Sequence, residues 1–334
     1  MITGDHATIE GVCACYGLTD QPGASMTAVS RGAVGRIWRL ELGDRRYAVK
    51  ELFLDAGEAA VQQEAALTAQ LESAGIGLPG SVRGRDGRFL AWLAGTDGDG
   101  GWVRLYRWID GVPADLADPG TATGVGDLLG RLHAGAAPAV DDGERWYDTV
   151  PDPAVWAPLA ADGRAHGEGW GPVLAQHTGL LAELTTLVTP QDPGQLVSCH
   201  RDLHPENVLV DGSGAIILLD WDDAGPACPD RELARLLTDW HVHDGVPDGA
   251  AVRRTMAAYL AAGGPGRIRD ELSFGMVIAC TLNFLHRQAI VTLDASAPAE
   301  HREYAAAETA ETLTRLPTRR LLAQLVSLAT AVTG

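Results

Sequence analysis

Between Ala28 and Phe53 apolar and polar residues alternate in three short runs. Ile37-Trp38-Arg39-Leu40-Glu41-Leu42 is the clearest of them. A period of two predicts half-buried strands, and Gly-bearing turns (Ser30 to Gly35, then Gly43-Asp44) separate the three runs. From Asp55 to Ala74 the period changes. Val61, Glu64, Leu67 and Leu71 lie 3, 3 and 4 residues apart, which places them on one face of a helix. Glu64 is the odd member, a carboxylate in an apolar stripe, and it needs a partner. Glu58, one turn earlier, is its rival, but it lies near the helix start, where an exposed acid is favoured anyway. Two further strands, Phe89 to Leu93 and Trp102 to Ile109, flank the loop Gly95 to Gly101.

Beyond the turn at Asp110-Gly111-Val112-Pro113 the pattern becomes helical. Val125, Leu128, Leu129 and Leu132 mark one face of a helix over Ala122 to Ala134. Ala136 to Trp170, rich in Pro, Gly and Asp, reads as a long surface connection. A helix from Val173 to Val188 follows, and then two strand-like runs, Val208 to Val210 and Ala215 to Leu219, around the turn Asp211-Gly212-Ser213-Gly214. Helices are expected from about Pro229, over Ala250 to Ala262, Glu271 to Leu293 and Ala299 to Val332, the last broken near Pro317. Strands first and helices afterwards predict an α+β chain in two lobes.

Composition narrows the partners. The chain of 334 residues carries 26 basic and 44 acidic residues, a net charge of −18. That argues against nucleic acid, whose backbone demands a basic footprint. It permits a cationic ligand, which a negative field steers inward. The start, MITGDHATIE, has neither the basic nor the apolar region of a secretory signal. The longest apolar candidate, Met276 to Leu285, is interrupted by Thr281 and Asn283, so no membrane partner and a cytoplasmic location are expected. An odd count of five cysteines argues against a disulfide framework.

The chemistry concentrates in Val197 to Gly225. His200-Arg201-Asp202 precedes the hairpin, Asn207 leads into its first strand, and Asp220 ends its second. One carboxylate is thereby left to accept a proton, while an amide oxygen and a second carboxylate suit a hard cation shared with phosphates. HRDLHPEN followed by LLDWD resembles the kinase-like superfamily, in particular its aminoglycoside-phosphotransferase and choline-kinase branch, which His204 favours over protein kinases. The resemblance covers roughly Ala28 to Trp240 and implies a protein-kinase-like α+β fold: a small antiparallel-sheet N-lobe over 1–107 that binds nucleotide, and a mainly helical C-lobe over 108–334 that carries catalysis and the acceptor.

It further implies Asp202 as catalytic base, with Asn207 and Asp220 holding Mg2+. Tyr47-Ala48-Val49-Lys50 resembles the third-strand signature whose lysine meets the nucleotide phosphates, and Glu64 becomes that lysine's expected ion-pair partner. Gly32 stands in the turn that approaches the phosphates. By position, Arg107 offers a backbone carbonyl and Ile109 a backbone amide to the purine of ATP or GTP. Asp222 and Asp223 are candidates for the acceptor site. No Ala-Pro-Glu motif follows Asp220 and the next helix begins within about ten residues, which favours a small-molecule hydroxyl acceptor over a protein. An antibiotic is the first reading of that acceptor, a metabolite such as homoserine, choline or a sugar the alternative, and a nucleotide-binding pseudokinase the alternative of another class.

Overall fold

The computed structural model describes residues 2–53, 57–94, 100–139 and 143–332. Asp55 and residues 95–99, part of the expected helix start and loop, lie outside them. The chain divides into two compact units: Met1–Val112 with Leu209–Asp222, and Pro113–Val208 with Asp223–Gly334.

In the first unit, helix α1 (His6–Tyr16) precedes strands β1 (Ser25–Arg31), β2 (Gly35–Leu42) and β3 (Arg45–Leu52). Helix α2 (Glu58–Ser73) follows, then β4 (Ser81–Val82), β5 (Leu90–Ala94), β6 (Gly100–Arg107) and β7 (Gly111–Pro113). The large sheet runs β1-β2-β3-β6-β4, with β5 also on β6. The pairs are antiparallel, and β3 meets β6 in the register Lys50↔Arg104. The alternation of β2 does what its pattern predicts: Trp38, Leu40 and Leu42 enter a core shared with Ile9, Val12 and Tyr16 of α1. The Tyr16 hydroxyl is buried there, donating to the backbone oxygens of Phe89 and Val103 at 2.8 and 2.9 Å.

In the second unit come α3 (Pro119–Gly135), α4 (Trp156–Ala165), α5 (Trp170–Thr185) and β8 (Val197–Cys199). The expected hairpin, β9 (Val208–Asp211) and β10 (Ile216–Leu218), belongs to the first unit from Leu209 onward. β11 (Gly225–Ala227) then pairs antiparallel with β8, and α6 (Pro229–His241), α7 (Gly249–Ala261), α8 (Gly275–Leu293), α9 (Ala299–Thr314) and α10 (Arg319–Thr330) complete the chain. Helices α3 and α7 cross closely: a Cβ at Gly126 would lie 2.4 Å from the Thr255 oxygen.

Two expectations change. The stretch 136–170 is not a plain surface connection, because α4 lies within it and Trp156, Leu159, Ala160 and Trp170 are buried. Pro158 does not prevent that helix, since a proline in the first turn costs no intrahelical hydrogen bond. The stretch Glu271–Leu293 also has the length and apolarity of a membrane span, contrary to the reading of Met276 to Leu285, but half of its most apolar 18 residues are buried inside the protein. Met276, Ile278, Leu282 and Leu285 belong to the core.

Candidate active site

Cross-strand partners in a sheet present their side chains to the same face. The register Lys50↔Arg104 therefore sets two cations side by side in the first unit, both almost fully buried. Lys50 Nζ contacts Asp220 Oδ1 at 2.6 Å and Asp222 Oδ2 at 2.8 Å. Arg104 grips Glu64 with two bonds of 2.6 and 2.8 Å, and its Nη1 also donates to Asp222 Oδ1 at 2.8 Å. Asp222 thus joins the two cations. Glu64 is paired with Arg104 rather than with Lys50 as expected. A planar guanidinium matches a carboxylate with two parallel bonds, which an ammonium cannot offer.

Burial alone would lower the Lys50 pKa; Asp220 and Asp222 outweigh it and hold the ammonium charged. Glu64 is pushed up by burial, against the pull of Arg104. Asp220 has φ 54°, in the left-handed region, where a side chain is seldom placed without a local reason. The segment is anchored around it by the Trp221 indole, which donates to the Leu218 oxygen at 3.1 Å.

Around the β1–β2 turn, Gly32 N–H donates to the Gly35 oxygen at 2.9 Å. A Cβ at Gly35 would meet the Glu51 oxygen at 2.5 Å, whereas one at Gly32 would meet nothing within 4 Å. Gly35 is demanded by strand packing, and Gly32 faces open space. Arg107 N–H is taken by the Gly80 oxygen at 3.0 Å, and Ile109 lies just past the end of β6, where its amide has no hydrogen-bond partner among the described residues.

The second unit holds the loop that follows β8. Arg201 has φ 65° without being glycine, a conformation that costs on the order of 1–3 kcal/mol. It is held from several sides. Its N–H donates to Glu232 Oε1, its side-chain Nε to the Asp223 oxygen at 2.5 Å, and its Nη2 to Glu144 Oε1 at 2.7 Å. Glu232 also meets His133 Nε2 at 2.6 Å, and His133 Nδ1 meets the Tyr259 hydroxyl at 2.8 Å, so His133 is a buried structural link. Burial works against charge on Glu232, but His133 and its other partners prevail and bring its pKa down to about 2.

Asp202 is engaged at both oxygens. Arg235 Nη2 donates to Oδ1 at 2.6 Å, Asn207 Nδ2 to Oδ2 at 2.9 Å, and His204 Nε2 lies 3.3 Å from Oδ2. Burial would raise its pKa, yet Arg235, His204 and His200 outweigh it and keep the carboxyl ionised far below the usual carboxylate range. Asn207 Nδ2 also donates to the Asp202 backbone oxygen at 2.9 Å. With its amino group so occupied, Asn207 has its amide oxygen left over in the second unit, and in the first the Asp220 carboxylate, already bonded to Lys50, has a side chain 40% exposed. Each of the two side chains carries an oxygen donor, the type that hard divalent cations prefer.

Sequence reasoning missed Arg104 and Arg235. Arg104 depends on a strand register that no local pattern states. Arg235 is three residues after Glu232 on α6, a spacing that shares a helix face, and this was its available signal. Asp222 sits with Lys50 and Arg104 in the first unit, whereas Asp223 offers its backbone oxygen to Arg201 in the second.

The chain is similar to known proteins. A homoserine kinase of Beijerinckia indica subsp. indica is 30% identical over 176 residues, covering 52% of this chain and 51% of that protein. A homoserine kinase of Pseudomonas aeruginosa is 32% identical over 196 residues, covering 57% of each. The chain spans about half the length of these curated relatives. The crystal structure of a spectinomycin phosphotransferase with ADP and spectinomycin superposes over 99% of both chains with a TM-score of 0.66 at 15% identity, which shows the shared kinase-like α+β fold. Residues 25–270, well over half of the chain, match the description Phosphotransferase enzyme family (APH), and the chain belongs to that family.

Proposed function

We propose that this protein is a kinase that transfers the terminal phosphoryl group of ATP or GTP to a hydroxyl of a small molecule, an antibiotic carrying basic groups being the first reading of that acceptor. The observation that carries the proposal is the ionised Asp202, oriented through both oxygens on the same loop as an Asn207 whose amide oxygen is left over. The acceptor hydroxyl would lie against Asp202. Its oxygen bonds to the terminal phosphorus, the bond from that phosphorus to the bridging oxygen of the diphosphate breaks, and the hydroxyl proton passes to Asp202. So weak a base suits a loose transition state, in which positioning and charge neutralisation dominate. Lys50 would hold the non-transferred phosphates, with Glu64 and Arg104 fixing the cluster beside it. Gly32 would leave room for phosphate near the backbone, and Arg107 and Ile109 would meet the purine edge. Asn207 and Asp220 would hold Mg2+, which supplies neutralisation of phosphate charge when bound. This division gives nucleotide to 1–107 and catalysis with acceptor binding to 108–334, and a nucleotide donor is in keeping with work in the cytoplasm.

A second reading, a homoserine kinase, is favoured by the names of the relatives at 30% and 32% identity. Both acceptors carry an amine, in keeping with the net charge of −18. A pseudokinase is disfavoured by the presence together of Lys50, Asp202, Asn207 and Asp220. The test is turnover with ATP and GTP, magnesium, and a panel of aminoglycosides, spectinomycin, homoserine and choline, with mass detection. An acceptor that gains one phosphoryl group supports the proposal and selects the reading. Nucleotide binding without product on a wide panel would favour the pseudokinase.

A further inference from the structure

Helix α6 presents two charged residues, one turn apart, to the backbone of a single residue. Glu232 takes the Arg201 N–H, and Arg235 Nη1 donates to the Arg201 carbonyl. Arg201 is the residue at φ 65°, immediately before Asp202. The same guanidinium continues to Asp202 Oδ1 at 2.6 Å through Nη2, and to Asp239 Oδ2 at 3.2 Å through Nε. Its Nη1 also lies 3.6 Å from Cys280 Sγ on α8. The side chain is only 15% exposed. Every nitrogen of this planar fork therefore has a partner within the protein.

We infer that Arg235 is a positioning residue of the phosphotransfer site, a clamp that holds both the unfavourable Arg201 peptide and the Asp202 carboxylate in one geometry. The kinetic part of this inference rests on the function proposed above. Two features separate the clamp from ordinary packing. The bonds run to a backbone oxygen and to a side chain of adjacent residues, so losing Arg235 frees both together. A lysine supplies the charge but not the fork, so it can reach one of the two but not both. Asn207 still holds Asp202 Oδ2 in either variant, so the carboxylate is loosened rather than lost.

The experiment compares the full chain with Arg235→Gln and Arg235→Lys. Hydrogen exchange is followed over Cys199–Leu203, together with kcat and the KM for nucleotide on the acceptor that gives turnover. In Arg235→Gln, exchange at the amides of Asp202 and Leu203 should rise about tenfold, as local opening becomes cheaper. With Asp202 displaced, kcat should fall about 10²-fold while the nucleotide KM holds. Arg235→Lys, the safer variant for folding, should fall between the two on both readouts. Exchange in Arg235→Lys and in any folded Arg235→Gln that matches the unsubstituted protein would overturn the clamp. So would a fall in affinity with kcat intact. If the unsubstituted protein turns nothing over, the proposed function fails, but the exchange result still decides the clamp.

Discussion

Lys50 divides its ammonium between two carboxylates, whereas Asp202 is gripped at both of its oxygens by different donors. The contacts that join the first cluster run from side chain to side chain: Lys50 and Arg104 with Glu64, Asp220 and Asp222. In the second, side chains also grip the backbone, at Arg201 N–H, the Arg201 oxygen, the Asp202 oxygen and the Leu203 oxygen. Side-chain ion pairs can exchange partners when a charged ligand arrives, because nothing in the main chain must move. A loop bonded through its main chain has one geometry. The contrast suits a group that must accept phosphates and a group that must not shift while a proton is transferred.

The largest expected effect tests the partner exchange in the first cluster. Glu64→Ala leaves Arg104, 2% exposed, without its bidentate partner and should cost about 3–5 kcal/mol of stability. Adding Arg104→Met should recover much of that loss in denaturant melts. If Glu64 served Lys50 instead, the second substitution would recover nothing.

Asp220→Ala removes both a contact of Lys50 and the carboxylate suited to magnesium. Magnesium-dependent nucleotide affinity should fall about 10- to 100-fold, read by titration calorimetry with and without the metal. Unchanged magnesium dependence would remove Asp220 from that role.

A smaller effect is set by pH, and it concerns the second unit. Burial lowers the His241 pKa from 6.5 to about 4, and the His133 environment lowers Glu232 from 4.5 to about 2. Each group binds fewer protons folded than unfolded, so each contribution is complete above the unfolded value and lost as pH falls. Melting temperature should therefore decline in two stages, between pH 6.5 and 4 through His241, then between 4.5 and 2 through Glu232. A flat profile from 6.5 to 4 would contradict the buried neutral His241.

Most of the architecture was readable before any coordinates. The three strands β1 to β3, helix α2, the hairpin β9–β10 and helix α6 follow from periodicity, turn residues and proline at a helix start. The unread parts have physical reasons. Helix α4 carries Trp156, Leu159, Ala160 and Gly163 at helical spacing, but the surrounding Pro, Gly and Asp concealed it. Trp156 on α4 and Trp170 at the start of α5 are both core residues. A carboxylate at Glu64 in an apolar stripe predicts a partner, but the choice of Arg104 over Lys50 depends on the register of β3 with β6. That register is a long-range fact. The motif around Asp202 was legible as chemistry, but the grip of Arg235 on it comes from a helix more than thirty residues later.

The division of labour between the clusters is tested most directly by Asp202→Asn, with turnover and nucleotide affinity measured on the same sample. The account predicts that nucleotide binds as before while turnover on the accepted substrate falls about 10²- to 10⁴-fold, the usual worth of a positioned base. Near-normal turnover in that variant would contradict it, and so would a loss of nucleotide affinity as large as the loss of rate.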